Sequence, residues 1–142
     1  MQADMSLADY KREMKADKRM NRPEQELVHK PVAAMLRHLA PIHRFWWGHY
    51  PAGGVRSKTE AAIFKGLGVV PGVADILIIP QGGKAHWIEL KAPGRKAKTT
   101  STQDAFGETM MVLGCQWAVC DSVEEVHSLL KKWGLINDRG NG

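Results

Sequence analysis

The chain has 142 residues, with 20 lysines and arginines against 15 acidic residues, a formal net charge of +5 and 44% hydrophobic content. This length and composition predict one globular domain with a substantial core. No run approaches the roughly 18 apolar residues of a membrane helix, which excludes a membrane-spanning protein, and the positive charge favours an anionic partner without identifying it.

Residues 1–22 predict a basic N-terminal arm, because six lysines and arginines outnumber two acids after Tyr10. The arm is interpreted either as a frayed, solvated helix or as a segment that grips phosphate or stabilises a dimer. Pro23 suits the first turn of a helix, and apolar residues then recur at helical spacing over 27–39. Pro31 lies inside this helix and predicts a kink.

The segment that follows predicts a strand, a loop and a helix in turn. Residues 44–49 predict the strand, and the tryptophans of the predicted strands are interpreted as core residues. Residues 51–54 predict a glycine-rich loop. Residues 58–67 predict a helix that ends at Gly66 and Gly68.

Two apolar runs predict a β-hairpin. The run of β-branched residues and leucine at 76–79 is typical of a strand buried on both faces, and the second run spans 87–91. The Gln-Gly-Gly-Lys sequence at 81–84 predicts a turn, so the two strands should pair in antiparallel fashion.

The last third of the chain predicts two more helices around another strand. A helix capped by threonine and serine spans 100–113, and a strand spans 116–120. Ser122 begins the last helix, with Glu125 three residues later as in a capping box. Residues 136–142 are expected to form a flexible tail.

The chemistry-bearing residues lie on the hairpin. Asp75 opens its first strand, and Glu89 and Lys91 lie on its second. Side chains two apart on a strand point to the same face, so Glu89 and Lys91 share a face while Leu90 packs on the other. Pairing of the strands brings both acids to one sheet edge beside the lysine. Two carboxylates hold a divalent metal and an ammonium stabilises an anion, which together equip a site to hydrolyse a phosphodiester.

A structural interpretation of the same residues stays open. Glu-x-Lys occurs by chance about once in a chain of this size, and Glu13 and Lys15 form a second example. Alone, the pattern describes a surface salt bridge, which contributes little to stability. The strand-like runs on both sides and the preceding Asp75 favour the metal site.

Five segments form a further pattern along the chain: Pro23-Glu-Gln-Glu-Leu27, His49-Tyr-Pro-Ala-Gly-Gly-Val-Arg56, Lys65-Gly-Leu-Gly-Val-Val-Pro-Gly-Val-Ala-Asp75, Trp87-Ile-Glu-Leu-Lys-Ala-Pro-Gly94 and Thr102-Gln103. Taken in this order, they resemble the VRR-NUC family of the PD-(D/E)XK nuclease superfamily. The resemblance implies an α/β (α+β) fold with a restriction-endonuclease-like core, in which a central mixed β-sheet is flanked by helices. It implies a nuclease domain over 23–135.

The resemblance also implies a role for each candidate residue. Lys91 corresponds to a lysine that orients water or offsets negative charge on the phosphate, and Gln103 to a glutamine that positions the water or the lysine. Because Val28 stands where the family often has glutamine, the helix register stays open, and Glu26 is an alternative to the acid on the first helix. The implied ligands of Mg²⁺ or Mn²⁺ are Asp75, Glu89, the Leu90 main-chain carbonyl and Glu24.

Basic residues near these motifs are candidate DNA contacts, with a solvated loop as the alternative; for the cluster at 95–98, its position a few residues after Glu89 and Lys91 favours DNA contact. The six histidines show no metal-ligand spacing. His49 lies near the glycine-rich loop and is placed to contact substrate, whereas His29 and the others are interpreted as surface or structural residues. The candidate DNA contacts are Arg56, Lys58, Arg95, Lys96 and Lys98.

The expected function is that of a metal-dependent DNA endonuclease, structure-specific on branched DNA such as four-way junctions. The resemblance implies a bacterial or phage-encoded homodimer in the host cytosol, with the arm and residues 45–47 as candidate dimer contacts. Cys115 and Cys120 are interpreted as buried thiols in that reducing compartment, with a disulfide between them as the alternative. The alternatives are a flap, nicking or restriction-like nuclease, a non-catalytic DNA-binding module, and a protein that binds an acidic partner.

Overall fold

The computed structural model describes residues 6–8, 24–51 and 57–137. Within these ranges the chain is α+β, and the sheet is flanked by helices as predicted. The elements are a π-helical turn at Gln25–His29, α1 at Lys30–His43, β1 at Trp46–His49, α2 at Lys58–Gly66, β2 at Ile76–Ile79, β3 at His86–Leu90, α3 at Ser101–Val112, β4 at Gln116–Cys120 and α4 at Val123–Lys132.

The four strands form one mixed sheet in the order β1-β2-β3-β4. The first two pairings are antiparallel and the pairing of β3 with β4 is parallel. Ile76 lies opposite Ile88, which fixes the register of the predicted hairpin. The hairpin turn uses Gly82 and Gly83, both at positive φ, where a glycine carries no steric penalty.

One face of the sheet holds the main core. The alternate residues of β2 and β3 point to this face, where helices α1 and α4 cover them. The opposite face of β2 is only half-buried, so the prediction of a strand buried on both faces is wrong there. The fully buried side chains of this core include Leu36, Ile76, Ile78, Ile88, Leu90, Val126 and Leu130.

Helix α3 covers part of the other face, and a glycine allows the close approach. A Cβ added to Gly107 would overlap the indole of Trp117 on β4. Trp87 meets Phe106 of α3 edge to face, with ring centroids 5.1 Å apart. These contacts with the tryptophan rings fix the position of α3 relative to the ends of the strands.

Pro31 shapes the start of the first helix. It lies in the first turn of α1, immediately after the π-helical turn. A proline ring clashes with the carbonyl four residues earlier and lacks an N–H, so regular α-helical bonding cannot pass through it. The Lys30 N–H instead bonds the Gln25 carbonyl, five residues back. The predicted interruption at Pro31 is therefore a widened turn.

The structure tests only one of the two predicted domain boundaries. The predicted arm, residues 1–22, lies outside the described residues apart from 6–8. Ile136, assigned to the flexible tail, is 6% exposed and packs in the core, so that boundary is wrong by at least one residue. Residues 138–142 lie outside the described part. Within the described ranges, no helix combines the length and apolarity needed to cross a bilayer.

The edge strand β1 and the last helix also depart from expectation. Trp46 is 59% exposed and is not a core residue, whereas Phe45 is buried. At α4, the Ser122 hydroxyl accepts the Glu125 N–H as predicted. The Glu125 carboxylate bonds the N–H of Asp121 instead of that of Ser122, so only half of the predicted capping box forms.

The close packing of α3 predicts a large difference between two helical glycines. Gly107→Ala should destabilise the fold by about 1–3 kcal/mol, because the new methyl group must displace the Trp117 ring. Gly66→Ala, where nothing lies within 4 Å of an added Cβ, is the matched control and should be neutral or stabilising. Urea denaturation of both variants checks this, and equal stability would contradict the packing described for α3.

Candidate functional site

Two acids face each other where the hairpin ends. Ile76 lies opposite Ile88, and one further step of the antiparallel register puts Asp75 opposite Glu89. Opposing residues lie on the same face of a sheet, and like charges placed directly opposite are destabilising. The Asp75 carboxylate accepts the Leu90 N–H through Oδ2 at 2.7 Å. The fold therefore brings the two predicted acids together at the sheet edge.

Burial makes this acidic pair costly. Glu89 is 4% exposed, and its Oε2 atom is buried without a hydrogen-bond partner among the described residues. Burial, and then the charge of Asp75, raise the pKa of Glu89 to about 9. Burial also raises the pKa of Asp75, although its hydrogen bond to the Leu90 N–H opposes the shift. A cation between the two carboxylates would remove this penalty.

Glu24 joins the pair from the start of the π-helical turn. Burial and the charge of Asp75 raise the pKa of Glu24 to about 7, and Lys91 opposes the shift. Glu26 is exposed and its carboxylate lies 2.7 Å from the Lys30 ammonium. Of the two acids left open by the sequence, Glu24 is the one that shares the electrostatic environment of Asp75 and Lys91.

Gln103 connects the lysine to the buried acid. Its Oε1 accepts from the Lys91 ammonium and from the Thr100 N–H, each at 2.9 Å. Its Nε2 donates to Glu89 Oε1, also at 2.9 Å. The direct separation between Lys91 Nζ and Glu89 Oε1 is 4.0 Å. These partners fix the orientation of the Gln103 amide. In the flipped orientation its NH₂ group, itself a donor, would face two other donors, the Lys91 ammonium and the Thr100 N–H.

The same glutamine begins helix α3. The Thr100 hydroxyl accepts the Gln103 N–H, and the Gln103 side chain bonds back to the Thr100 N–H, forming a complete capping box. Gly72, at φ +84°, packs against this helix start, where an added Cβ would overlap Thr102 and lie 2.9 Å from Gln103 N. The loop that leads into Asp75 is therefore held against the turn that carries Gln103.

The donor set suits a hard divalent ion. Glu24, Asp75 and Glu89 offer carboxylate oxygens, and the unpartnered Glu89 Oε2 is already desolvated. In an extended strand the N–H and C=O of one residue point to the same side, so the Leu90 carbonyl faces the side on which its N–H meets Asp75. Oxygen ligands of this kind fit Mg²⁺ or Mn²⁺.

Two histidines join Asp75, contrary to the sequence-based interpretation. His29 and His49 have ring centroids 4.3 Å apart with an interplanar angle of 89°. Burial, and then the nearby His49, lower the pKa of His29. His29 is half-buried, so the surface position among the two predicted for it is wrong, whereas the predicted structural role stays a prediction. No motif signals this pair, because one ring comes from the π-helical turn and the other from β1.

Four of the five predicted DNA contacts lie in the described part of the chain. Lys58, Arg95 and Lys98 are exposed. Lys96 is exposed too, but its ammonium lies 2.9 Å from a Glu125 carboxylate oxygen, which also raises the pKa of Lys96. The predicted cluster after β3 therefore carries less free positive charge than the sequence suggests. Arg56 lies outside the described residues.

The two cysteines, Cys115 and Cys120, are free thiols. Cys120 is buried, which raises its pKa to about 12, whereas Cys115 is only half-buried.

Comparison of the chain with protein-family models, with curated proteins and with solved structures finds no match. The arguments about this site therefore depend on its own geometry.

The pair of Asp75 and Glu89 predicts that a substitution that weakens ion binding stabilises the metal-free protein. Glu89→Gln should stabilise the metal-free protein by roughly 3 kcal/mol at alkaline pH, because it removes a buried charge that lies opposite Asp75 and has one oxygen without a hydrogen-bond partner. The pKa of Glu89 in the folded protein, about 9, lies above its ordinary value of 4.5. The contribution of Glu89 to the free energy of unfolding is therefore fully present below pH 4.5 and is lost as the pH rises towards 9.

Thermal denaturation in chelator, at several values between about pH 5 and pH 9, measures this effect. The stability gap between Glu89→Gln and the unmodified protein should widen as the pH rises. Glu108→Gln, an exposed acid on α3, serves as the control and should show no such widening. A gap that stays constant with pH would contradict the description of Glu89 as a buried acid with a raised pKa.

Proposed function

We propose that this protein is a metal-dependent DNA endonuclease that hydrolyses phosphodiester bonds. The supporting observation is the pair of the half-buried Asp75 and the buried Glu89, since two partly desolvated carboxylates side by side favour a divalent cation. The Lys91 ammonium lies 4.0 Å from Glu89 at the same edge. The proposal agrees with the resemblance to the VRR-NUC family, which rests on the sequence motifs.

In this proposal Glu24, Asp75, Glu89 and the Leu90 carbonyl hold Mg²⁺ or Mn²⁺. A bound ion supplies Lewis-acid stabilisation of the phosphate and lowers the pKa of water. The protein's contribution is to hold the carboxylates in place: the Leu90 N–H fixes one Asp75 oxygen, and the Gln103 amide fixes Glu89 Oε1. Hydrogen bonds of this kind to ligating carboxylates orient them and tune the ion.

Lys91 serves the anionic side of the reaction. Its ammonium is held at 2.9 Å by Gln103 Oε1 and remains 14% exposed, so it reaches a phosphate at the sheet edge. A preorganised cation offsets the negative charge that develops on the phosphate in the transition state. A hydrogen bond from Lys91 to a water would align that water for attack.

DNA is the proposed substrate because of the positive charge of the chain and of its exposed side chains. The net charge of +5 and the exposed side chains of Lys58, Arg95 and Lys98 favour a polyanion. A branched substrate such as a four-way junction, a cytosolic location and a homodimer are further parts of the proposal. The exposed Trp46 is a candidate dimer contact, whereas the buried Phe45 is not.

Removing the Asp75 carboxylate, a proposed metal ligand, or the Lys91 ammonium should stop DNA cleavage but not DNA binding. Asp75→Ala or Lys91→Ala should lower the rate of phosphodiester cleavage by about 10³-fold or more. Lys84→Ala, in the hairpin turn at the opposite end of the strands, is the matched control and should cleave normally. DNA affinity, measured by fluorescence anisotropy, should stay within an order of magnitude in all three variants.

The cleavage assay uses four-way junction, flap and linear duplex DNA with Mg²⁺, Mn²⁺ or chelator. Cutting of the junction alone supports the branched-DNA proposal, and cutting of flaps or duplexes assigns a different nuclease preference. DNA binding without any nick, unaffected by chelator, identifies a non-catalytic binding module. The absence of salt-dependent DNA affinity would remove DNA as the partner.

Gln103 should act through its neighbours. Gln103→Ala removes its bonds to Lys91 and Glu89, and activity should fall about 10–100-fold. Thr100→Ala weakens the same helix cap but touches neither group, so it should lose about 1 kcal/mol of stability with little loss of activity. Single-turnover cleavage rates and thermal denaturation together separate the two roles. Equal activity in both variants would assign Gln103 to helix capping alone.

A further inference from the structure

His29, His49 and Asp75 form a cluster of mixed donors next to the carboxylate site. One ligand atom from each of the three residues lies within 4.8 Å of the other two. Two imidazoles and one carboxylate are a donor set found in metal sites that keep open positions. Asp75 belongs to this cluster and to the acidic pair, so the two sites share a residue.

The hydrogen bond of His49 determines which of its atoms is available. Its Nδ1 lies 2.8 Å from the main-chain carbonyl of Asp75. A carbonyl only accepts, so Nδ1 carries the proton and Nε2 keeps its lone pair. Metal-binding histidines commonly donate their second ring N–H to a carbonyl in this way, which fixes the tautomer and the ring orientation. His49 therefore has its Nε2 lone pair available to bind a metal ion.

The π-helical turn positions the second histidine. The bond from Lys30 N–H to Gln25 O spans five residues, so residues five apart lie near each other along this turn. Glu24 and His29 are five apart. The turn therefore carries a carboxylate towards the acidic pair and an imidazole towards His49, whose ring centroid is 4.3 Å from that of His29. Single π-helical turns are frequent at functional sites.

We propose that His29, His49 and Asp75 bind a first-row transition-metal ion, with Zn²⁺ as the clearest probe. Imidazole nitrogens favour such ions over Mg²⁺, whereas the neighbouring carboxylate site favours Mg²⁺ or Mn²⁺. Two ligands of one Zn²⁺ ion lie about 3.3 Å apart when each bond is about 2.0–2.1 Å, so small side-chain rotations close the cluster around the ion. This site goes beyond the proposed nuclease function and does not require it.

Isothermal titration of the chelator-treated full-length chain with ZnCl₂ tests the proposal. The unmodified protein should bind one Zn²⁺ ion that the double variant His29→Gln/His49→Gln binds about 100-fold more weakly or not at all. The matched control, His38→Gln/His127→Gln, removes two exposed histidines outside the cluster and should bind normally. Circular dichroism of each variant establishes that it is folded.

Imidazole NMR of the unmodified protein removes the dependence on variants. On addition of one equivalent of ZnCl₂, the ring signals of His29 and His49 should shift while those of His38 and His127 stay unchanged. Equal Zn²⁺ affinity in both double variants, or ring shifts confined to other histidines, overturns the proposal. Zn²⁺ binding without DNA cleavage would contradict the proposed nuclease function and support the Zn²⁺ site. DNA cleavage without Zn²⁺ binding would support the nuclease function and contradict the Zn²⁺ site.

Discussion

The placement of Asp75 directly opposite Glu89, with the glutamate buried, is the constraint on which the rest of the site depends. Two carboxylates in this position repel each other and lose their hydration, which raises the pKa of both. A hydrophobic pair would fit the same sheet edge at lower cost. The arrangement supports the proposal that a cation binds between the two carboxylates, and Lys91 beside them supports the proposal that an anion accompanies the cation.

The fold holds this unfavourable pair in place through close packing. Gly72 lies against the first turn of α3, and Gly107 lets the same helix approach Trp117. Gln103 then serves two purposes: it completes the cap of α3 and bonds both Lys91 and Glu89. Because these contacts involve the backbone and a helix start, small movements of the site require movement of a whole helix.

Local patterns predicted most of the fold and part of the site. The turn glycines and the apolar runs fixed the hairpin, and its register follows from pairing Ile76 with Ile88. Contacts between distant segments left no such pattern. The meeting of His29 with His49 depends on how the π-helical turn crosses β1, and the pairing of Lys96 with Glu125 depends on how α4 returns to the end of β3.

The central claim is that the acidic pair holds a divalent ion, and the most direct measurement is an anomalous difference map from crystals soaked in MnCl₂. The account predicts a peak between the Asp75 and Glu89 carboxylates, about 2.0–2.6 Å from an oxygen of each. A map with no peak there, in crystals where the two carboxylates still face each other, would contradict it.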